Sequence, residues 1–180
     1  MKTIAYEDFV SFNPCWLTED EERNEHADQL AGYRAMRDEW SALDILRLDE
    51  VDAEDRLWLV LREELIDAPI LHEFACRCAE RALSRIDKPD ERSIAAIEAK
   101  RKWLRGEISD DEMAVARDAA WSVVYVTACP AERAAACAME RDATCAAAWT
   151  AECAEEMAEE IAAEREWQIA ELMRMLEARG

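Results

Sequence analysis

Apolar residues recur along this chain at steps of three and four, the spacing that places side chains on one face of a helix. Leu57, Val60, Leu61 and Leu65 follow it, as do Leu71, Phe74, Ala75, Cys78, Ala82 and Ile86. Alternation of the kind a strand needs is not sustained; Val123, Val124, Tyr125 and Val126 come closest, inside a helical frame. Glycine stands only at 32, 106 and 180 and proline only at 14, 69, 89 and 130, so breaks are few. Starts are marked by Thr18 before an acidic triplet, by Asp52, by Ser109 with Glu112 as a capping box, and by Pro69 and Pro130 in first turns; Gly106 marks an end. These signals predict helices near 5–12, 18–36, 40–48, 53–66, 69–86, 90–105, 109–128 and 131–178, and no sheet. The fold class is all-α: a multi-helix bundle with a long Ala/Glu-rich C-terminal helix or helical hairpin.

The stretch from 131 to 178 contains no glycine or proline and is dominated by alanine and glutamate, both strong helix formers. As one rod it would extend about 72 Å, against a radius of gyration of roughly 16 Å for a compact chain of this size. It must therefore break, protrude, or lie against something long. Alanine faces allow close helix approach, which favours antiparallel pairing with 109–128 or with a second copy of the chain. On a continuous helix, Trp149 and Trp167 would share a face. Cys129, Cys137, Cys145 and Cys153 recur every eight residues, a step of about 80° around a helix, so they would not share one. They are read as reduced thiols filling alanine-like positions.

A length of 180 residues with 51 % hydrophobic content and seven tryptophans suits one domain, residues 1–180, in which 1–106 is anchored by Leu and Trp and 107–180 is the Ala-rich acidic part. The formal charge is −20. Residues 1–66 carry 18 acids and 7 bases, 67–105 carry 7 and 9, and 106–180 carry 17 and 6. A basic segment around Lys100, Arg101, Lys102 and Arg105 thus lies between two acidic ones, favouring internal attraction and leaving acid on the outside. Such a surface repels phosphates and attracts a basic protein, so direct nucleic-acid binding is disfavoured. The first ten residues show no basic-then-apolar leader and no run reaches the length of a membrane span, which reads as a cytoplasmic protein without membrane association.

Glu152, Glu155, Glu156, Glu159 and Glu160 fall at i, i+3, i+4, i+7 and i+8, one acidic stripe on a continuous helix, with Arg165 as the nearby counterion. It is the candidate partner-binding surface, set against the ordinary reading of a charge run as a solvated face. His72 and Cys76 share a helix face, but Cys78 projects about 200° from Cys76 and no second pair completes a metal set. With His26 and His72 the only histidines, no catalytic dyad or triad suggests itself, and no metal, cofactor or enzymatic role is expected. Trp16, in the Asn13 to Leu17 linker, reads as a hydrophobic staple before the Thr18 cap.

Asn13-Pro-Cys-Trp-Leu17, Glu39-Trp-Ser-Ala-Leu-Asp44, Ala53-Glu-Asp-Arg-Leu-Trp58, the Leu71 to Leu83 segment with Phe74, Cys76, Ala79 and Ala82, the Asp90 to Gly106 segment, and Ala163-Glu-Arg-Glu-Trp-Gln168 together resemble the helical immunity-protein-five-like family of bacterial and phage proteins. That family carries tandem Ala-Ala-Trp repeats in its C-terminal half; here Pro130 interrupts the pattern and Trp121 and Trp149 are its main survivors. The resemblance implies an all-α fold and action by stoichiometric binding, with no catalytic residues to transfer. With the acid surplus, it makes an immunity-type inhibitor of a basic toxin or nuclease the leading functional expectation. The alternative is a phage-encoded counter-defence protein that imitates nucleic acid and blocks a restriction or CRISPR-type complex.

Overall fold

Helix starts and stops follow the capping chemistry of the sequence, and every helix from Ala68 onward except the last three matches its expected span to within a few residues. The computed structural model describes residues 2–12, 37–127, 129–140, 143–153 and 158–179. The helix expected at 18–36 and the Trp16 staple lie outside them. The elements are β1 (Thr3–Ala5), α1 (Tyr6–Ser11), β2 (Glu39–Ser41), α2 (Ala42–Leu46), α3 (Ala53–Val60), α4 (Ala68–Leu83), α5 (Glu91–Leu104), α6 (Asp110–Thr127), α7 (Pro130–Met139), α8 (Ala143–Glu152) and α9 (Ala158–Glu177). The protein is all-α apart from one three-residue strand pair, and no helix among the described residues is long and apolar enough to cross a membrane. The chain divides into two compact units, one up to Asp67 and one from Ala68 to Arg179. Helices α4 and α5, which composition groups with the Leu- and Trp-anchored part, fold with the Ala-rich helices.

In the first unit β1 and β2 pair antiparallel, with Ile4 opposite Trp40; both are buried, which makes this cross-strand pair the glue of the ribbon. The sequence reading expected no sheet, because three positions per strand are too few to show a period of two. Ser41 ends the ribbon and caps α2: its Oγ accepts from Asp44 N at 3.3 Å while Asp44 Oδ2 accepts from Ser41 N at 3.0 Å. The helix expected over 40–48 thus starts two residues late, and that expected over 53–66 ends at Val60. Arg56, 4 % exposed, donates Nη1 to Leu46 O at 2.9 Å, joining the end of α2 to α3 over a core of Ile45, Leu46, Leu57, Leu59 and Val60.

The second unit is built around α7. Eight of its ten residues are buried, and it packs against α4, α5, α6 and α8. Only methyl-sized side chains let four helices approach one short helix from all sides. The alanine faces of α7 are therefore covered within this unit. Both ends of α7 meet charge. Glu132, in its first turn and 2 % exposed, accepts from Asp90 N at 2.8 Å, and Lys100, equally buried, donates to Met139 O at 3.2 Å and Glu140 O at 3.3 Å. An acid at the N-terminus and a cation on the last carbonyls suit the helix dipole.

The Ala/Glu run is three helices folded back on one another. Glu140 leaves helical geometry with ψ −177°, and α8 returns along α7, so that Cys137 and Cys145 stand 5.8 Å apart at Cα, where a continuous helix would separate them by about 12 Å. Their sulfurs are bonded. This departs from the expectation of reduced thiols, which rested on the missing leader and membrane span. Helix α9 returns along α8: Gln168 Nε2 donates to Ala147 O at 2.9 Å, and Arg85 bridges Thr150 O and Glu164, so the two helices run antiparallel. Trp149 and Trp167 consequently sit on different helices, each covered by an arginine, Arg133 at 4.4 Å and Arg81 at 4.2 Å from the ring centre.

At the end of α5, Gly106 N donates to Trp103 O and Glu107 N to Lys102 O, both at 2.9 Å, with Gly106 at φ 72°. A Cβ there would meet open space, so the cost of Gly106→Ala is the backbone's alone. It should lower unfolding free energy by about 1–2 kcal/mol, read by urea titration. An unchanged urea midpoint would show that the left-handed residue does not terminate the helix.

Candidate acidic interaction surface

Most of the arginines that could neutralise the acid surplus are engaged inside the second unit. Along α4, Arg77, Arg81 and Arg85 repeat every four residues on one face. Arg77 bonds Glu73 at 3.0 Å and also Glu171 of α9, and Arg174 holds Glu171 at 2.7 Å from the next turn. Arg101 of α5 reaches Glu73 at 3.0 Å and Glu80 at 2.9 Å. Glu164, whose side chain is fully buried, is gripped by Arg81 at 2.7 Å and by Arg85. Lys100 and Arg101 of the basic segment thus turn inward, whereas Lys102 and Arg105 stay exposed, as do Glu91 and Glu98 of α5.

Those contacts hold the α8–α9 hairpin rigidly against α4. Gln168, fully buried, anchors its middle, and Thr150 Oγ1 bonds Ala146 O at 2.7 Å on the buried face of α8. Where α8 stops and α9 starts stand carboxylates read from the sequence. Glu152 is the last residue of α8 and Glu159 and Glu160 lie in the first turn of α9, all three exposed and none in an ion pair among the described residues. Glu155 and Glu156 lie outside the described residues. The stripe is therefore carried by two antiparallel helices at the hairpin end and not along one rod. Arg165, the expected counterion, donates to Gln168 Oε1 at 3.3 Å.

A second concave feature lies among α5, α6 and α7, a cleft of about 340 Å³ lined by Lys100, Trp103, Asp110, Met113, Arg117 and Glu140. Its polar groups are committed to one another: Lys100 to the α7 carbonyls, Trp103 Nε1 to Asp110 at 2.7 Å, and Trp121 Nε1 to Glu140 at 3.3 Å. His72 and Cys76, weighed as metal ligands, are core residues. His72 meets Trp103 edge to face with centroids 5.9 Å apart, and burial pushes the Cys76 thiol up to about 12 and the Cys78 thiol well above the ordinary range. Such thiols carry little thiolate at neutral pH.

Two features escaped the sequence reading. The Glu164 clamp was invisible because Glu164 looked like one more acid in an acidic run; the signal was the four-residue repeat of arginine in α4. The Cys137 and Cys145 pairing needed the turn at Glu140, which has no glycine or proline to mark it.

Two measurements test the internal pairing. Hydrogen bonds from Arg174, then from Arg77, hold Glu171 at about 2, below its ordinary 4.5. A depressed carboxylate contributes stability that is complete above the ordinary value and is lost as pH falls through the folded one. The thermal midpoint should thus fall between about pH 4.5 and pH 2, and Glu171→Gln should flatten part of that fall; identical slopes for the two proteins would refute the assignment. Glu164→Gln leaves Arg81 and Arg85 without their buried anion and should cost about 3 kcal/mol in urea unfolding.

Comparison of the chain with protein-family models, with curated proteins and with solved structures finds no match.

Proposed function

We propose that this chain is an acidic helical interaction protein that works by stoichiometric binding, acting in the cytoplasm as an immunity-type inhibitor of a basic protein such as a toxin or nuclease. The observation that carries the reading is the contrast between two sets of carboxylates. Glu73, Glu80, Glu164 and Glu171 are neutralised by arginines of the same unit, whereas Glu152, Glu159 and Glu160, beside a hairpin held by buried bonds, are exposed and form no ion pair among the described residues. A rigid, prepositioned anionic end binds a cationic surface without first ordering long side chains of its own scaffold. The surplus of charge over the whole chain adds long-range attraction, which speeds encounter. The resemblance to the immunity-protein-five-like family points the same way.

The test captures partners from the native host on immobilised protein and then measures association of the purified partner by surface plasmon resonance. The association rate should drop about tenfold or more as salt rises from about 0.01 M to about 1 M and the screening length shrinks from about 30 Å to about 3 Å. The triple variant Glu152→Lys, Glu159→Lys, Glu160→Lys should lose most of that rate while keeping its helical circular dichroism. A rate indifferent to salt, or a triple variant that binds as the parent does, would remove the hairpin end from the binding surface.

A further inference from the structure

The fold-back at Glu140 places Cys137 and Cys145 on facing helices with their sulfurs bonded and their Cα atoms 5.8 Å apart, within the span a disulfide bridges. The two partners differ in burial: Cys137 is 2 % exposed, whereas Cys145 is half-buried, which makes it the partner on which exchange would begin. The hairpin around them is held by other means as well. Both α7 and α8 pack on α4, Lys100 binds the carbonyls of Met139 and Glu140, Trp121 holds the Glu140 carboxylate, and Gln168 holds Ala147 O. Breaking the sulfur link therefore leaves the scaffold standing, so both redox forms are folded. The remaining described cysteines are placed differently. Cys76 and Cys78 are sealed in the core with thiols raised by burial, Cys129 precedes α7, and the Cys153 thiol donates to Trp149 O at 3.2 Å.

We propose that Cys137 and Cys145 form a reversible redox pair that clips the α7–α8 hairpin, closed and opened by exchange with a low-molecular-weight disulfide and thiol of the glutathione type. In closure, the Cys145 thiolate attacks one sulfur of the small disulfide, forming a mixed disulfide and releasing one small thiolate. The Cys137 thiolate then attacks Cys145 Sγ, forming the protein disulfide and releasing the second small thiolate. The two protons of the protein thiols end on the two released thiolates, and two electrons pass from the protein to the small disulfide. Opening is the reverse and starts with attack on the less buried Cys145 sulfur. The closed clip ties the end of α7 to the start of α8 and so restrains the chain on both sides of Glu140. This inference is independent of the binding function proposed above.

The test equilibrates the full chain in buffers spanning reduced to oxidised glutathione, quenches with acid, alkylates free thiols and maps peptides by mass spectrometry, with circular dichroism on the same samples. A single two-electron transition confined to Cys137 and Cys145 is expected, with helical signal unchanged and slower amide exchange across α7 and α8 in the oxidised form. Cys145→Ala, a substitution that suits an alanine-lined helix, should leave Cys137 alkylated after the most reducing and intermediate buffers alike and abolish the exchange difference, while Cys129→Ala should change neither. The proposal fails if the pair stays reduced in the most oxidising buffer, if it resists reduction until the helices melt, if reduction itself melts them, or if Cys137 bonds to Cys129 or Cys153 in place of Cys145.

Discussion

Everything in the second unit depends on the close approach that alanine permits around α7. A helix lined by leucine keeps its neighbours 8–10 Å away in typical packing and buries one stripe; α7 buries eight of ten residues against four helices at once. Alanine loses no side-chain entropy on burial, so such a centre is cheap to order, but each methyl also removes little area from water. The larger hydrophobic contributions come from around it, from Phe74, Ile97, Val123 and Leu172, all 3 % exposed or less. Glu132 and Lys100, buried at the two ends of α7, meet backbone groups there: Asp90 N on one side and the carbonyls of Met139 and Glu140 on the other.

Charge is sorted by the same geometry. The antiparallel return of α9 along α8 brings Glu164 and Glu171 to the arginine face of α4, where Arg77, Arg81 and Arg85 are ready at four-residue steps. Cation and anion neutralise one another at this seam, and Arg81 adds a stacking contact on Trp167. Outside remain the carboxylates of the hairpin end and Glu91 and Glu98 of α5, together with the exposed cations Lys102 and Arg105. Charge that changes sign from segment to segment along the chain is thus paired in part across this seam.

The all-α class was legible because helix formation here is local: Ser109 with Glu112 caps α6, and Gly106 ends α5, each through residues within three or four positions. The acidic character of the candidate surface was legible for the same reason, since exposure of glutamate needs no partner. The stripe's geometry was not. Its i, i+4 spacing presumed one helix through residues that fall in two, and the turn that separates α7 from α8 is imposed by packing against α4 and by Lys100 on the carbonyls of Met139 and Glu140, both distant in sequence. The strand pair was hidden likewise, since Ile4 and Trp40 come together across 36 residues.

The sealed position of α7 has a consequence for how this molecule can change over generations. At Ala134, Ala135 and Ala136 every direction is occupied, so even one added methylene has nowhere to go, and drift there is confined to glycine, serine or cysteine. The exposed carboxylates Glu152, Glu159 and Glu160 form no ion pair among the described residues that would resist replacement. Lineages that shared this architecture would therefore diverge fastest where they meet other molecules and slowest in a ten-residue segment of the plainest side chain available.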